Sequence, residues 1–350
     1  MHTRDDLELP GGGGRRAVLW GVACIGLAVV AFLLISKAAH VADLAGSLRR
    51  GNWRWVPVLV VGQGAAYLGY AMAYRGTARV MDGPRLPFWL TLRIVAAGFG
   101  AFVVATSVGG LAVDYWALRR AGAQRHAAIA RVLALNTLEW AVLGAAAAVA
   151  GAVVLAGVVS GPARWMAAAW LAVVPVCYAA AVAITYPQRM QGFIRDRSGG
   201  TLRNVFADSL AGVIIVRRVL GRPLAHAAAW GGAAIYWAGT LVCLWGGLAA
   251  YGARPGLAAI VLGYSTGYAA TILPLPAGGA GSVDAAMVYS LHAAGVTLEP
   301  ALFGVAAYRV FAFWLPILPG VVAAAGLRGI REELPEVVHP ARDRGPREAI

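Results

Sequence analysis

The chain has 350 residues, 60% of them hydrophobic and 13% charged, with a mean hydropathy of +0.68. A soluble domain is about a quarter charged, so this composition excludes a water-soluble globular protein and implies an integral membrane protein. The net charge of +14 does not imply nucleic acid, because the arginines lie between apolar runs and not on one soluble face.

In chain order, residues 1–16 (MHTRDDLELPGGGGRR) are polar and expected to be a disordered N-terminus. The apolar run 17–36 is long for a signal-peptide core and lacks an A-x-A cleavage pattern, so it is expected to be a retained anchor. A helix needs about 20 mostly apolar residues to cross a bilayer, and on that basis 17–38, 54–74, 132–159, 164–186, 225–250 and 300–326 are expected full spans. Two further apolar stretches, 88–113 and 257–292, are interrupted by 107-SVGG-110 and by LPLPAGGAG. Each is expected to be a helix, a glycine break and a second short helix, the latter starting near Leu111 or Ser282. Between them, 201–221 carries Leu202, Val205, Phe206, Leu210, Val213 and Ile214 at helical spacing with polar residues opposite, the pattern of a helix in the membrane interface. An ordinary surface helix of a long loop fits the same pattern. From 328 to 350 the chain is charged and expected to be a disordered tail.

The loops orient the spans. If both interrupted stretches enter and leave on one side, 23 of the 30 Arg and Lys residues share a side with both termini and 6 lie opposite, with Arg309 inside a span. If both stretches cross fully, the groups Arg119–Arg131 and Arg189–Arg222 change sides and the bias is lost. The positive-inside rule therefore favours re-entry and cytoplasmic termini in a cell membrane. The expected fold is an all-α polytopic bundle with about six full spans and two broken, re-entrant hairpins arranged as an inverted repeat.

The two interrupted stretches match each other. Gly109 precedes Asp114 by five positions, and Gly279 precedes Asp284 by five; Asp114 precedes Glu139 by 25, and Asp284 precedes Arg309 by 25. The repeat units are 88–139 and 257–316 of a membrane domain spanning 17–327. Broken backbone in hydrocarbon leaves amides unpaired at several kcal/mol each unless protein or a wet cavity covers it. Inverted repeats in transporters bind their substrates at such breaks, near mid-bilayer. A helix start after a break favours an anion such as a lipid phosphate. Glu139 and Arg309 at mid-span each cost at least about 2.5–3.5 kcal/mol to insert and mark a pathway or an ion pair. Asn136, one turn before Glu139, is expected to share its face. The candidate headgroup-binding residues are Gly109, Gly110, Asp114, Asn136, Glu139, Gly278, Gly279, Gly281, Ser282, Asp284 and Arg309. The plainer readings are that Asp114 and Asp284 only cap helix starts, and that Glu139 and Arg309 only pair with each other.

Neither metal nor cofactor is expected. Cys24, Cys177 and Cys243 sit singly in apolar runs, the six histidines are scattered, and no DxD or GxxxxGK[ST] occurs.

At the paired motifs the sequence resembles the transmembrane, flippase-like domain of lysylphosphatidylglycerol synthases. The stretch 107-SVGGLAVDYWALRR-120 looks like the family's first motif and 135-LNTLEW-140 like the span after it. Likewise 273-LPLPAGGAGSVD-284 resembles the second motif and 306-AAYRVFAFWLP-316 its following span. Ser107 or Val108 stands where the family has proline, Asp284 where it has glutamate, and Trp140 where it has the arginine of a Glu-Arg pair. Ala277 separates Pro276 from the glycines. With no aminoacyl-transferase domain expected after the membrane domain, the resemblance implies a stand-alone member that binds and moves a phospholipid or isoprenoid-phosphate headgroup, and not an enzyme. Its expected partners are membrane lipids and a membrane-associated glycosyltransferase or lipid-modifying enzyme. A membrane enzyme or accessory subunit of lipid-linked glycosyl or aminoacyl transfer, and a non-catalytic scaffold whose small residues serve close helix packing, stay open as alternatives.

Overall fold

The computed structural model describes residues 50–159, 161–195, 200–272, 281–316, 319–320 and 322–323, with side chains at 101–108, 188, 189 and 195 not described. The expectations for 1–16, 17–38 and 328–350, and for Gly278 and Gly279, lie outside these residues. The described residues form α1 (Val56–Arg79), α2 (Phe88–Arg120), α3 (Arg125–Leu155), α4 (Arg164–Thr185), α5 (Gln188–Arg195), α6 (Thr201–Gly221), α7 (Ala227–Ala250), α8 (Leu257–Tyr268), α9 (Ser282–Ala293) and α10 (Leu298–Arg309), with no strand among them. By length and apolarity α1 with its leading turn, α3, α4 and α7 each suffice to cross a membrane. The expected span 300–326 begins with the 12 residues of α10 and continues through a π-turn at Val310–Trp314.

Helix α2 has 33 residues and as a straight rod would measure about 50 Å. Gly98 and Gly110 would then stand about 18 Å apart. Instead, a Cβ built on Gly98 lies 3.9 Å from the Gly110 carbonyl oxygen and 4.0 Å from Asp114 Oδ1. The chain therefore doubles back between them. Both of its ends meet the end of α1 and the start of α3: Arg75 Nε donates to the Leu86 carbonyl at 2.9 Å, and Arg131 donates to the carbonyls of Ala78 (3.1 Å) and Val80 (3.0 Å). The re-entrant expectation is met, but the expected break is corrected. Gly109 and Gly110 are helical, and no new helix starts at Leu111. Glycine here does not turn the chain; lacking a side chain, Gly98 lets the two limbs of the hairpin touch.

The second hairpin is more open in sequence and as tight in space. Helix α8 passes into a short 3-10 turn at Ala269–Ile272, and the chain re-enters helix at Ser282, as the sequence implies. Gly281 holds φ +87°, a conformation that side-chain-bearing residues avoid. A Cβ on Gly267 would stand 2.4 Å from Met287 Cα, so α8 and α9 pack backbone to backbone. Their outer ends lie at the face opposite the ends of α2: Ala163 N–H donates to Ala293 at 3.0 Å, and Asn52 N–H to Ala250 at 2.8 Å. The two hairpins thus enter from opposite faces.

Helices α1 and α7 hold the two halves together. They run antiparallel along a seam of glycines: a Cβ on Gly62 would meet the Gly239 carbonyl oxygen at 2.8 Å, one on Gly69 the Gly232 oxygen at 2.7 Å, and one on Gly76 the Ala229 amide at 2.4 Å. Gly62, Gly69 and Gly76 each have a counterpart 170 positions later in Gly232, Gly239 and Gly246, the offset that also relates Asp114 to Asp284 and Glu139 to Arg309. Under that offset the contact 62–239 maps onto 232–69. The contact 76–229 maps onto 246–59, and Gly246 does face Leu59. An interface that maps onto itself in this way is isologous, as a two-fold relation between repeats requires.

Helix α6 packs on the first half of α3, with Gly212 against Ala130 and Ala134. Its buried residues are Ala207, Asp208, Leu210, Gly212, Ile215, Val216 and Val219. Leu202, Val205 and Phe206 of the expected apolar face are left uncovered by protein, with Phe206 beside Phe193 of α5. Helix α4 is apolar all round, yet only 6% of its spanning window is buried by protein, as suits a helix solvated by hydrocarbon.

Candidate functional site

Four ionisable side chains meet inside this bundle, two from each repeat. Asp114 lies on the returning limb of α2 and is 2% exposed; Glu139 lies halfway along α3 and is 7% exposed. Tyr70 Oη donates to Asp114 Oδ2 at 2.8 Å, and Tyr74 Oη donates to the Asp114 carbonyl at 2.8 Å. Trp237 Nε1 donates to the Glu139 carbonyl at 2.7 Å. Asp114 Oδ1 and Glu139 Oε1 are buried and have no hydrogen-bond partner among the described residues. The two carboxylates act on each other electrostatically. Asp114 is not in the first turn of a helix, so the helix-start reading fails for it.

In the second repeat Arg309 Nε donates to Asp284 Oδ1, and the other oxygen of Asp284 accepts the Gly281 N–H at 3.2 Å. Asp284 therefore both caps α9 and neutralises Arg309. The guanidinium also sits over the Phe313 ring at 5.3 Å. This removes the plainer reading of a Glu139–Arg309 pair: Arg309 is taken by its own hairpin. The π-turn begins immediately after Arg309, at the point where the helix carries its buried charge.

A belt of aromatic rings joins the two pairs. Tyr70 and Tyr236 pack at 5.6 Å, Tyr236 and Trp237 at 4.6 Å, and Trp237 and Tyr268 at 5.3 Å; Tyr264 stacks on Tyr268 at 5.4 Å. Tyr264 and Tyr308 hydroxyls stand 3.3 Å apart, next to Arg309. Sequence reasoning passed over these rings. Their signal was present: Tyr67, Tyr70 and Tyr74 recur on one face of α1, and Tyr264 and Tyr268 are one turn apart in α8.

Of the expected site residues, Asp114, Glu139, Gly281, Asp284 and Arg309 gather around this belt, and Ser282 opens α9 at its edge. Gly109 and Gly110 lie one turn before Asp114. Asn136 is exposed while Glu139 is buried, so the expected shared face is not observed. Among the described residues no group of three or more His, Cys, Asp or Glu side chains is arranged to hold a metal. A separate cavity of about 710 Å³, lined by Arg50, Trp55, Tyr251, Arg254, Glu299 and Phe303, opens at the face where α8 and α9 enter and does not include the four central charges.

The family model for the lysylphosphatidylglycerol synthase TM region matches residues 18–320. No curated protein matches the chain.

Proposed function

The chain belongs to the lysylphosphatidylglycerol synthase transmembrane family, a membrane domain linked to lipid handling, and on that premise we propose that it is a lipid translocase. A phospholipid or isoprenoid-phosphate headgroup enters between the two hairpins. Its phosphate binds at the start of α9, at the positive end of the helix dipole and beside Arg309, where it competes with Asp284 for the guanidinium. Its polar remainder faces the aromatic belt and Asp114. Gly278 and Gly279, and in the first repeat Gly109 and Gly110, let headgroup or backbone come close. The observation that carries this reading is the approach of two oppositely directed hairpins, each delivering a charged pair to the bundle interior. Charges so placed are costly in lipid and mark a route for polar cargo. Rocking of one repeat against the other about the α1–α7 seam would expose the site to each face in turn.

The arginine-rich face, bearing both ends of α2, is taken as cytoplasmic in a cell membrane, with α6 lying along it. Membrane lipids are the partners this reading requires. The unpartnered carboxylate oxygens of Asp114 and Glu139 favour one second reading, proton-transfer chemistry in a lipid-linked transfer system beside a membrane glycosyltransferase.

Reconstitution of the pure protein into vesicles carrying chain-labelled phosphatidylglycerol tests the first reading. Label should become accessible to an external quencher faster than in empty vesicles, and Arg309→Gln should abolish the gain. Rates equal to empty vesicles across several labelled phospholipids and an isoprenoid phosphate would remove it.

A further inference from the structure

The two repeats hold equivalent acids, but only one supplies its acid with a cation. Asp284 meets Arg309, whereas at the equivalent place the residue near Asp114 is a second acid, Glu139. Each carboxylate of the first pair keeps one buried oxygen without a partner among the described residues, and neither forms an ion pair there. Buried polar atoms are almost always satisfied, and an orphan calls for a missing proton, ion or water. Both acids are more than nine-tenths buried.

The surroundings select what fits. From α1, Tyr70 and Tyr74 face Asp114; from α7 and α8, Tyr236 and Tyr268 face Glu139, and Arg309 lies beyond Tyr268. Tyr70, Tyr236, Trp237 and Tyr268 pack in succession at 4.6–5.6 Å, so an ammonium group would have to push them apart. A sodium ion wants several oxygen ligands, and the described partners of the pair supply only carboxylates and a hydroxyl. A proton needs no space, and Tyr70 Oη already bonds one acid.

We propose that Asp114 and Glu139 form the site of a coupling proton, taken up from water on one face and returned to water on the other. In uptake an O–H bond forms on one of the orphan oxygens and the carboxylate charge disappears. In release that bond breaks, the electron pair stays on oxygen, and the proton leaves to water. The assignment rests on the translocase reading, and it gives that reading a driving force. The second repeat needs no proton because Arg309 is its fixed cation.

Two measurements on the full chain separate this proposal from the translocase reading. The first uses no lipid substrate: infrared difference spectra of the detergent-solubilised protein across a pH titration. We expect a carboxylic-acid C=O band that vanishes as pH rises, shifts in heavy water, and is lost in Glu139→Gln or Asp114→Asn. A band unchanged in both variants overturns the proton site whatever the protein transports. The second imposes a pH difference on vesicles carrying chain-labelled phosphatidylglycerol. The bias between inward and outward movement should change by up to about tenfold per pH unit and vanish in Glu139→Gln. An equal response in that variant, or a response only to a sodium gradient at fixed pH, overturns the proposal. Competition by tetramethylammonium would likewise overturn it, by showing that the site takes an ammonium group. Failure to move any lipid, with the infrared band present, would sink the translocase reading and keep the proton site.

Discussion

Asp114 and Asp284 stand 170 positions apart, and so do Glu139 and Arg309. In the second repeat the carboxylate is closed on both sides, by a guanidinium and by the Gly281 amide. In the first it is closed on one side by Tyr70, and its other oxygen is left without a partner among the described residues. The same backbone device has thus been filled once with a complete ion pair and once with an incomplete one. Completeness favours a fixed structural charge that holds an anion; incompleteness favours a group whose charge changes. The difference teaches that repeat symmetry alone does not assign a role: the partner across 25 residues does.

The largest break in that comparison is Arg309→Met. It leaves the Asp284 carboxylate in a largely buried position with its cation gone, at a cost of about 3–5 kcal/mol. The double variant Asp284→Asn with Arg309→Met should regain most of that loss. Thermal unfolding of the detergent-solubilised protein measures both, and a single variant as stable as wild type would show that the pair contributes nothing.

The glycine seam gives a smaller and more symmetrical effect. Gly69→Ala and Gly239→Ala place a methyl 2.3–2.7 Å from the facing backbone and should each destabilise by about 1–3 kcal/mol. Because the offset of 170 makes Gly69 and Gly239 equivalent, as it does their facing partners Gly232 and Gly62, the two losses should agree within about 0.5 kcal/mol. Gly64→Ala and Gly231→Ala meet nothing within 4 Å and should instead gain up to about 1 kcal/mol of helix propensity. Unequal losses at 69 and 239 would mean that the seam is not the two-fold contact its geometry implies.

How far this contrast was legible in the sequence follows from cost. A charge in an apolar run is expensive, so Glu139 and Arg309 declared themselves, and the shared spacing tied them to Asp114 and Asp284. Helix α6 could be bounded at 201–221, and the start of α9 at Ser282, because a periodic apolar face and a Gly-Ser junction are local signals. The turn of the first hairpin was misplaced because glycine serves two purposes. Gly109 and Gly110 suggest a break, whereas glycine in this hairpin thins a helix so that another limb can approach. The pairing of Arg309 was not legible either, since separations of 25 residues to Asp284 and 170 to Glu139 allow either acid and only the fold decides. The aromatic belt left no trace of cost, because a tyrosine in a membrane helix is ordinary until its hydroxyl is seen to meet a buried acid.

The smallest expected effect is the one that sharpens the comparison most. Glu139→Gln and Asp114→Asn replace a carboxyl group with an uncharged group of the same shape. If these acids hold ionised charge in the folded protein, the amides remove a large desolvation penalty and should raise stability by more than about 1 kcal/mol. If the pair shares a proton, the amide copies the state already present, and stability should stay within about 0.5 kcal/mol of wild type. Asp284→Asn, the matching change in the second repeat, strands Arg309 without its carboxylate and should cost several times more. Thermal unfolding of the three single variants side by side, at one pH and in one detergent, therefore reads the difference between the repeats directly. Similar losses at Asp114 and Asp284 would mean that the first acid has a cationic partner after all, and the two halves of the molecule would be alike in chemistry as well as in fold.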